Sequence, residues 1–406
     1  MSDLIGMVNA LRQVAHTDLP ARVRHVGVIL CGSRGGSSLL ARVLAGHPEV
    51  AAMDGEIDPF LALTRNGFGY NSHSDALTRL DNCKALADNV VDDLSVASSC
   101  APGLDELRQR WTRRLLLQYP ALFCQQDRLR RTLDQALEEC GASGLAPEPD
   151  WLLARLFRDE PWRLNFYDGH ADPASTRFFD QDDKIEEPPF VLPRSGRRRF
   201  QRRDAAAKLL LFKSPSDAYR IGIYEQLFPH AQVRYIHLCR GYAQSVNGLM
   251  DGWLSPRGFF AHDLRQAGSP LSIRGYSDRV LFGQRWWKFD LPPNWREFTR
   301  ASLEEVCLNQ WLSAHRAILA SGVPALRVRF EDFLASPGQV CAEITRHLGL
   351  PALESEPALP VIMATEPPAA RRWTKREQAM LALGERADVR EMMERLGYAM
   401  EAATWQ

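Results

Sequence analysis

The sequence lacks an excess of either charge. Among its 406 residues Lys and Arg number 50, and Asp and Glu also number 50. Such a balance gives no electrostatic argument for nucleic acid or an anionic membrane as partner. Long apolar runs are missing too. No stretch is long enough to span a bilayer, and Met1–Leu19 has no continuous apolar core of the kind a secretory signal needs. Paired cysteines are also absent. The eight cysteines stand apart at Cys31, Cys83, Cys100, Cys124, Cys140, Cys239, Cys307 and Cys341. None forms a C-x-x-C pair, which argues against a zinc site. Without an export signal they are expected to be reduced thiols in a cytoplasmic protein. The chain is 45% hydrophobic and 25% charged, a globular composition, and its length suits one large domain or two ordinary ones.

Two familiar nucleotide loops are missing as well. There is no G-x-G-x-x-G, and the one glycine-rich loop that opens a helix has no Walker lysine. What is present is the stretch Val26–Glu56. Val26-Gly27-Val28-Ile29-Leu30 reads as a fully buried parallel strand. Gly32, Ser33, Arg34, Gly35, Gly36, Ser37 and Ser38 follow. Leu39, Leu40, Val43 and Leu44 then share one helical face, which Gly46 and Pro48 end. A strand, a small-residue turn and a helix N-terminus make an anion site, with backbone N–H groups and the helix dipole facing the ligand. Arg34 adds a planar fork suited to phosphate or sulfate oxygens. Glycines alone would fit an ordinary strand–helix turn equally well. His47-Pro48-Glu49-Val50 to Asp54-Gly55-Glu56 should carry the chain back across the top of the sheet.

The rest of the chain divides by pattern. Met1–Arg22 reads as an amphipathic arm packed on the domain. From Ile57 to Arg203 the β-α alternation stops, and apolar residues recur at helical spacing in Leu104–Gln118 and Leu129–Cys140. This reads as a helical insertion shaping a crevice at the sheet edge. Its end, Arg194–Arg203, is rich in arginine. Such a run is usually a solvated loop; the sharper reading is a dock for an acidic substrate or carrier. Alternation resumes with a strand at Leu209–Phe212 and Lys213 at its end. A helix is expected over Asp217–Phe228, a strand over Val233–Cys239 with Arg240 at its end, and a helix from Gly241. Trp253–Arg300 is irregular and aromatic, readable either as a packed loop subdomain or as an apolar acceptor wall. Ser302 to Glu305 form a capping box that opens a long helix. A strand at Ala325–Phe330 and a helix over Gly338–Leu348 follow.

Taken in order, these pieces resemble the sulfotransferases that use 3′-phosphoadenosine-5′-phosphosulfate (PAPS). Cys31–Leu40 (CGSRGGSSLL) resembles the 5′-phosphosulfate loop in its arginine-bearing form. Val233–Gly248 (VRYIHLCRGYAQSVNG) resembles the 3′-phosphate strand and helix. Arg327–Phe333 (RVRFEDF) with Leu348-Gly349-Leu350 resembles the family's late strand and helix. Arg371-Arg372-Trp373 resembles its C-terminal cofactor-covering loop. The motifs span about half the chain, and the turn His47-Pro48-Glu49-Val50 is similar to the branch that holds tyrosylprotein and many bacterial sulfotransferases.

The resemblance implies an α/β fold: a P-loop-like parallel sheet flanked by helices, with a large, mainly helical insertion. It implies one domain, with core segments 23–56, 205–251 and 302–350, insertions 57–204 and 252–301, and a covering segment 351–406. It implies transfer of a sulfuryl group from PAPS, as co-substrate, to a hydroxyl of a small-molecule, glycan, lipid or carrier-bound acceptor. Glu56 is implied as general base, with Asp54 as the alternative, and Lys213 as the group on the leaving phosphate. Arg34 and the N–H groups of Gly35–Ser38 would hold the 5′-phosphosulfate, with Gly32 and Ser33 in the same loop. Arg240 would hold the 3′-phosphate. The family's serine eight residues after that arginine is Gly248 here, so Ser245 or a backbone N–H would substitute. Arg371, Arg372 and Trp373 would cover the nucleotide. No metal is required and no ligand cluster is visible. A homodimer and an acidic carrier at Arg194–Arg203 are the further partners this reading admits. The competing readings are a kinase-like nucleotide enzyme and a non-catalytic nucleotide-binding protein.

Overall fold

The computed structural model describes residues 16–53, 56–94, 126–142, 202–255, 259–264, 270–362 and 364–405, with a few isolated positions between them. Five strands form a parallel sheet. They are β1 (His25–Cys31), β2 (Val50–Ala52), β3 (Leu209–Lys213), β4 (Gln232–Cys239) and β7 (Ala325–Arg329), in the order β2-β3-β1-β4-β7. Two further strands, β5 (Phe260–Asp263) and β6 (Trp286–Lys288), pair antiparallel in a separate ribbon. Helices cover the sheet, so the fold is α/β.

The apolar run of β1 is explained by its place. It is the central strand, paired on both sides, and Val26 to Cys31 are buried with the exposed faces taken by helices. One core layer joins Val26, Val28 and Leu30 to the first insertion through Phe60, Leu86 and Val90. The opposite layer joins Ile29 and Cys31 to Leu40, Phe333 and Ile344. A third cluster gathers Trp253, Trp287, Trp295, Trp311 and Trp373 around helices α2 (Tyr242–Leu254) and α3 (Leu303–Ala320). These rings are almost fully buried, each worth about 1.5–3 kcal/mol or more of apolar burial. The aromatics of the second insertion are therefore mainly packing, and β5–β6 gives it regular structure.

Because the sheet is parallel, every strand ends at the same edge. Ile29 is level with Lys213, and Cys31 with Leu238. The glycine-rich loop after β1 thus lies between the ends of β3 and β4, which places Lys213 on one side and Arg240 on the other. This is the edge where ligands of open α/β sheets bind.

Several expectations are corrected in detail. The segment after His47 does not only recross the sheet edge: Val50–Ala52 joins it as the edge strand beside β3. His47 holds that turn, accepting from the Glu49 N–H at 3.0 Å. Asp217–Phe228 is not one helix. A 3-10 turn over Pro215–Tyr219 is followed by Gly222 at φ 102° and a short helix at Ile223–Leu227. The left-handed residue breaks the run, and only glycine adopts it cheaply. Phe330 belongs to the helix Phe330–Ala335 rather than to β7. The capping box forms as expected, with Ser302 accepting from the Glu305 N–H and Glu305 accepting from the Ser302 N–H. Gly349, at φ 73°, closes the helix Pro337–Leu348. Residues 1–15, most of Leu104–Gln118, Asp54, and 194–199 of the basic run lie outside the described residues.

Candidate active site

The loop is a tight turn. The Gly35 N–H donates to the Gly32 carbonyl at 3.1 Å. Arg34 sits at φ 64°, a left-handed backbone uncommon for a side chain of its size and concentrated at functional sites. Gly36 is required twice over. Its φ is 96°, and a Cβ there would meet the Phe330 ring at 2.2 Å. Helix α1 (Ser37–Leu44) follows, and the Leu40 N–H bonds back to the Gly36 carbonyl. The amides of Gly36, Ser37 and Ser38 have no helical carbonyl behind them, which leaves donors pointing out of the helix start, whereas that of Gly35 is taken by Gly32. Ser33 donates instead to Asp290, a buried carboxylate from the second insertion.

On one flank the loop meets cations. Arg240 reaches from the end of β4 and donates to the Arg34 carbonyl at 3.0 Å, with its guanidinium over the Phe330 ring. Trp311 donates to the Arg240 carbonyl at 3.0 Å and fixes the strand end. The guanidinium of Arg34 stacks on Phe259 at 5.2 Å. Burial pushes the Arg34 pKa down to about 10, and the neighbouring charges of Arg240 and Arg372 push the same way while Asp251 opposes them. Burial also lowers Arg240, with Glu331 opposing and Arg372 adding to the shift. Three arginines from three segments are thus close enough to repel one another.

The other predicted binders have distinct fates. Arg372 donates to Asp251 and to Glu366, each at 2.8 Å. Arg371 is exposed and lies over the Trp373 ring. Trp373 is fully buried against Trp405, to whose carbonyl it donates at 3.2 Å. Its ring is taken up by packing in the core. Ser245 is buried, and its hydroxyl has no hydrogen-bond partner among the described residues. Gly248 lies against Arg34: a Cβ there would be 3.6 Å from the Arg34 Cβ and 3.7 Å from its Nε. A serine at 248 would therefore run alongside this arginine.

On the other flank the loop meets carboxylates. Lys213 donates to Glu56 at 2.7 Å, and both side chains are only partly exposed. Burial raises the Glu56 pKa against the pull of Lys213, and Asp58 adds to the rise. Asp58 accepts from Ser214 at 2.7 Å and from Arg220 at 2.9 Å. Burial pushes Asp58 up, but Arg220 and Ser214 together bring it below the usual value. Arg220 also pairs with the fully buried Asp217 at 2.8 Å. Asp290 accepts from Tyr219 at 2.7 Å as well as from Ser33. Burial raises its pKa to about 6, with Ser33 and Tyr219 opposing. Asp75 accepts from Ser216 at 3.0 Å and from the Leu291 N–H at 2.7 Å, and pairs with His262.

Asp75, Asp251, Asp290 and His262 were not found by sequence reasoning. They lie in or beside the insertions, with no motif or spacing tying them to the loop. The sequence also showed no ligand cluster, yet the fold brings His237, Cys239 and His315 together with ligand atoms within 4.8 Å. His237 and His315 lie behind the loop, bonded to each other at 2.9 Å, and burial lowers both imidazoles.

No protein-family model matches the chain, and no curated protein sequence does. Solved structures similar to it include two sulfotransferases. One is the sulfotransferase domain from the Synechococcus PCC 7002 olefin synthase, at 14% identity and a TM-score of 0.35, covering 95% of this chain and 99% of that one. The other is sulfotransferase STF1 from Mycobacterium tuberculosis H37Rv, at 12% identity and a TM-score of 0.29, covering 98% of this chain and 80% of that one. Likeness at this level carries no argument about function, which has to come from the residues of the site. Among the described residues no helix is long and apolar enough to cross a membrane.

Proposed function

We propose that the chain is a sulfotransferase that moves a sulfuryl group from PAPS to an acceptor hydroxyl. One observation carries this reading: the anion loop after β1 is flanked by Lys213 with Glu56 at the end of β3, and by Arg240 with Arg34 and Arg372 beyond β4. A donor with phosphates at two places and a transferable group between them suits that division. The cluster of repelling arginines and the unpartnered Ser245 hydroxyl fit an anionic ligand.

PAPS would supply the sulfuryl group and a phosphate leaving group. The chain supplies position and charge, as in phosphoryl transfer. Arg34 and the loop amides hold the phosphosulfate, and Arg240 the 3′-phosphate. Glu56 takes the proton of the acceptor hydroxyl as the new O–S bond forms. The S–O bond to the phosphate breaks, and Lys213 neutralises the charge left on that oxygen. A glutamate is a weak base for an alcohol, and burial of Glu56 strengthens it. Turnover should therefore rise with pH through the raised pKa of Glu56, where the base becomes ionised.

Calorimetric titration with 3′-phosphoadenosine-5′-phosphate (PAP), set beside ATP with Mg²⁺, tests the class. PAP alone should bind, and activity should persist in excess chelator. Binding of ATP only with Mg²⁺, and activity restored by Mg²⁺, would favour a kinase-like enzyme. PAP binding with no transfer to any hydroxyl would favour a non-catalytic nucleotide-binding protein.

A further inference from the structure

Asp251 stands in the last turns of α2 with its side chain almost buried, and three cations of the C-terminal segment converge on it. Arg372 reaches it at 2.8 Å, Lys375 at 2.6 Å and Arg376 at 2.8 Å. Glu366 bridges Arg372 and Lys375 from the solvent side, at 2.8 and 2.7 Å. Arg376 also donates to Asn247, one turn earlier on the same helix. One turn before Asp251 on the same helix, Gly248 lies against Arg34, and a Cβ there would be 3.6 Å from the Arg34 Cβ. Asp251 offsets part of the repulsion that Arg34 meets from Arg240 and Arg372. The seam between segment and helix is not closed by apolar packing. A cavity of about 470 Å³ runs along it, lined by Asp251, Leu254, Ser255, Glu366 and Lys375. Trp373, in the middle of the segment, is buried in the core against Trp405. What Asp251 sets is the direction of the basic side chains on either side.

We propose that Asp251 is a positioning residue for the donor site: its buried carboxylate aims Arg372, Lys375 and Arg376 so that the segment completes the cation cluster beside Arg34 and Arg240. The inference rests on the PAPS reading for the identity of the anion, but not for the role of the carboxylate.

The sign of one substitution separates positioning from plain charge. Asp251→Asn keeps the shape and removes a negative charge beside a bound anion. If Asp251 were only a bystander charge, the variant would bind PAP more tightly, since unlike charges attract and like charges repel. If Asp251 aims the cations, the variant binds PAP more weakly although its site has become more positive. We expect PAP affinity to fall about tenfold or more at constant salt, which is about 1.4 kcal/mol. Asp251→Glu should recover most of the loss. Amide hydrogen exchange over residues 366–376, measured without ligand, should quicken in Asp251→Asn while the protection of α3 is kept. Glu366→Gln, at a half-exposed site, should weaken PAP in the same direction by a few-fold. Equal or tighter PAP binding by these variants would overturn the proposal, as would unchanged exchange in the segment. A wild-type protein that binds no PAP would instead overturn the PAPS reading, and exchange would still decide the role of Asp251.

Discussion

The two flanks of the anion loop differ in their charge. Beyond β4, Arg34, Arg240, Arg372, Lys375 and Arg376 outnumber Asp251, Glu331 and Glu366. Beyond β3, Glu56, Asp58, Asp75, Asp217 and Asp290 outnumber Lys213, Arg220 and His262. Each flank is buried enough for its charge surplus to shift pKa values. Burial and like-charge crowding lower Arg34 and Arg240 on the first, and burial raises Glu56 and Asp290 on the second. The lesson is a division of labour. A surplus of buried cations costs energy until an anion arrives, and on the proposed reading that anion is the phosphorylated donor. A surplus of carboxylates is unsuited to phosphate and suited to accepting a proton. A transferase needs both, side by side, with the migrating group between them.

That contrast can be broken one flank at a time. Glu56→Gln keeps the shape and removes the basicity, and turnover should fall roughly 10²–10⁴-fold, the usual contribution of a positioned general base. PAP affinity should hardly change, because Glu56 belongs to the other flank. Lys213→Ala should also reduce turnover, with some loss of donor affinity. Steady-state rates set beside PAP titrations would check both. A next, smaller effect is expected from Arg240→Ala, which should weaken PAP by roughly 2–4 kcal/mol, the scale for truncating one partner of a buried charge pair. Adenosine-5′-phosphosulfate, which lacks the 3′-phosphate, should be much less affected. Equal losses for both ligands would remove Arg240 from its assigned place.

The last effect concerns stability rather than binding or turnover. Asp290 has its pKa raised from 3.8 to about 6 by burial. A raised carboxyl means that the folded state holds the proton more tightly than the unfolded one. Its contribution is therefore present in full below pH 3.8 and is lost as pH rises through 6, by up to about 3 kcal/mol. Asp290→Asn should flatten that part of the curve. Denaturant midpoints taken at several pH values between 4 and 7 would show it, and an unchanged slope would mean that Asp290 is ionised throughout.

The cation flank was the more legible of the two in the sequence. Arg34 and Arg240 stand in or after strand-like apolar runs, and the regularity of β-α-β alternation carries them to one edge. Lys213 was legible for the same reason. The carboxylate flank was legible only at Glu56. Asp290 reaches the loop at Ser33, and Asp75 reaches Ser216 beyond β3, through insertions whose sequences show no period tied to the loop, and their burial follows from tertiary packing alone. Asp251 sits on a helix that was expected, yet its partners come from a segment about 120 residues later in the chain. Trp373 shows what sequence alone leaves out. Beside two arginines its ring read as a nucleotide cover, whereas the packing of Trp405 places it in the core.

The most direct test is to titrate Glu56→Gln and Arg240→Ala with PAP side by side and to measure PAPS turnover for each at saturating donor. The account predicts a crossing: Glu56→Gln binds PAP like the wild type and scarcely turns over, whereas Arg240→Ala binds poorly and turns over once donor is forced on. Parallel losses of affinity and turnover in both variants would contradict a site divided between a donor flank and a proton-accepting flank.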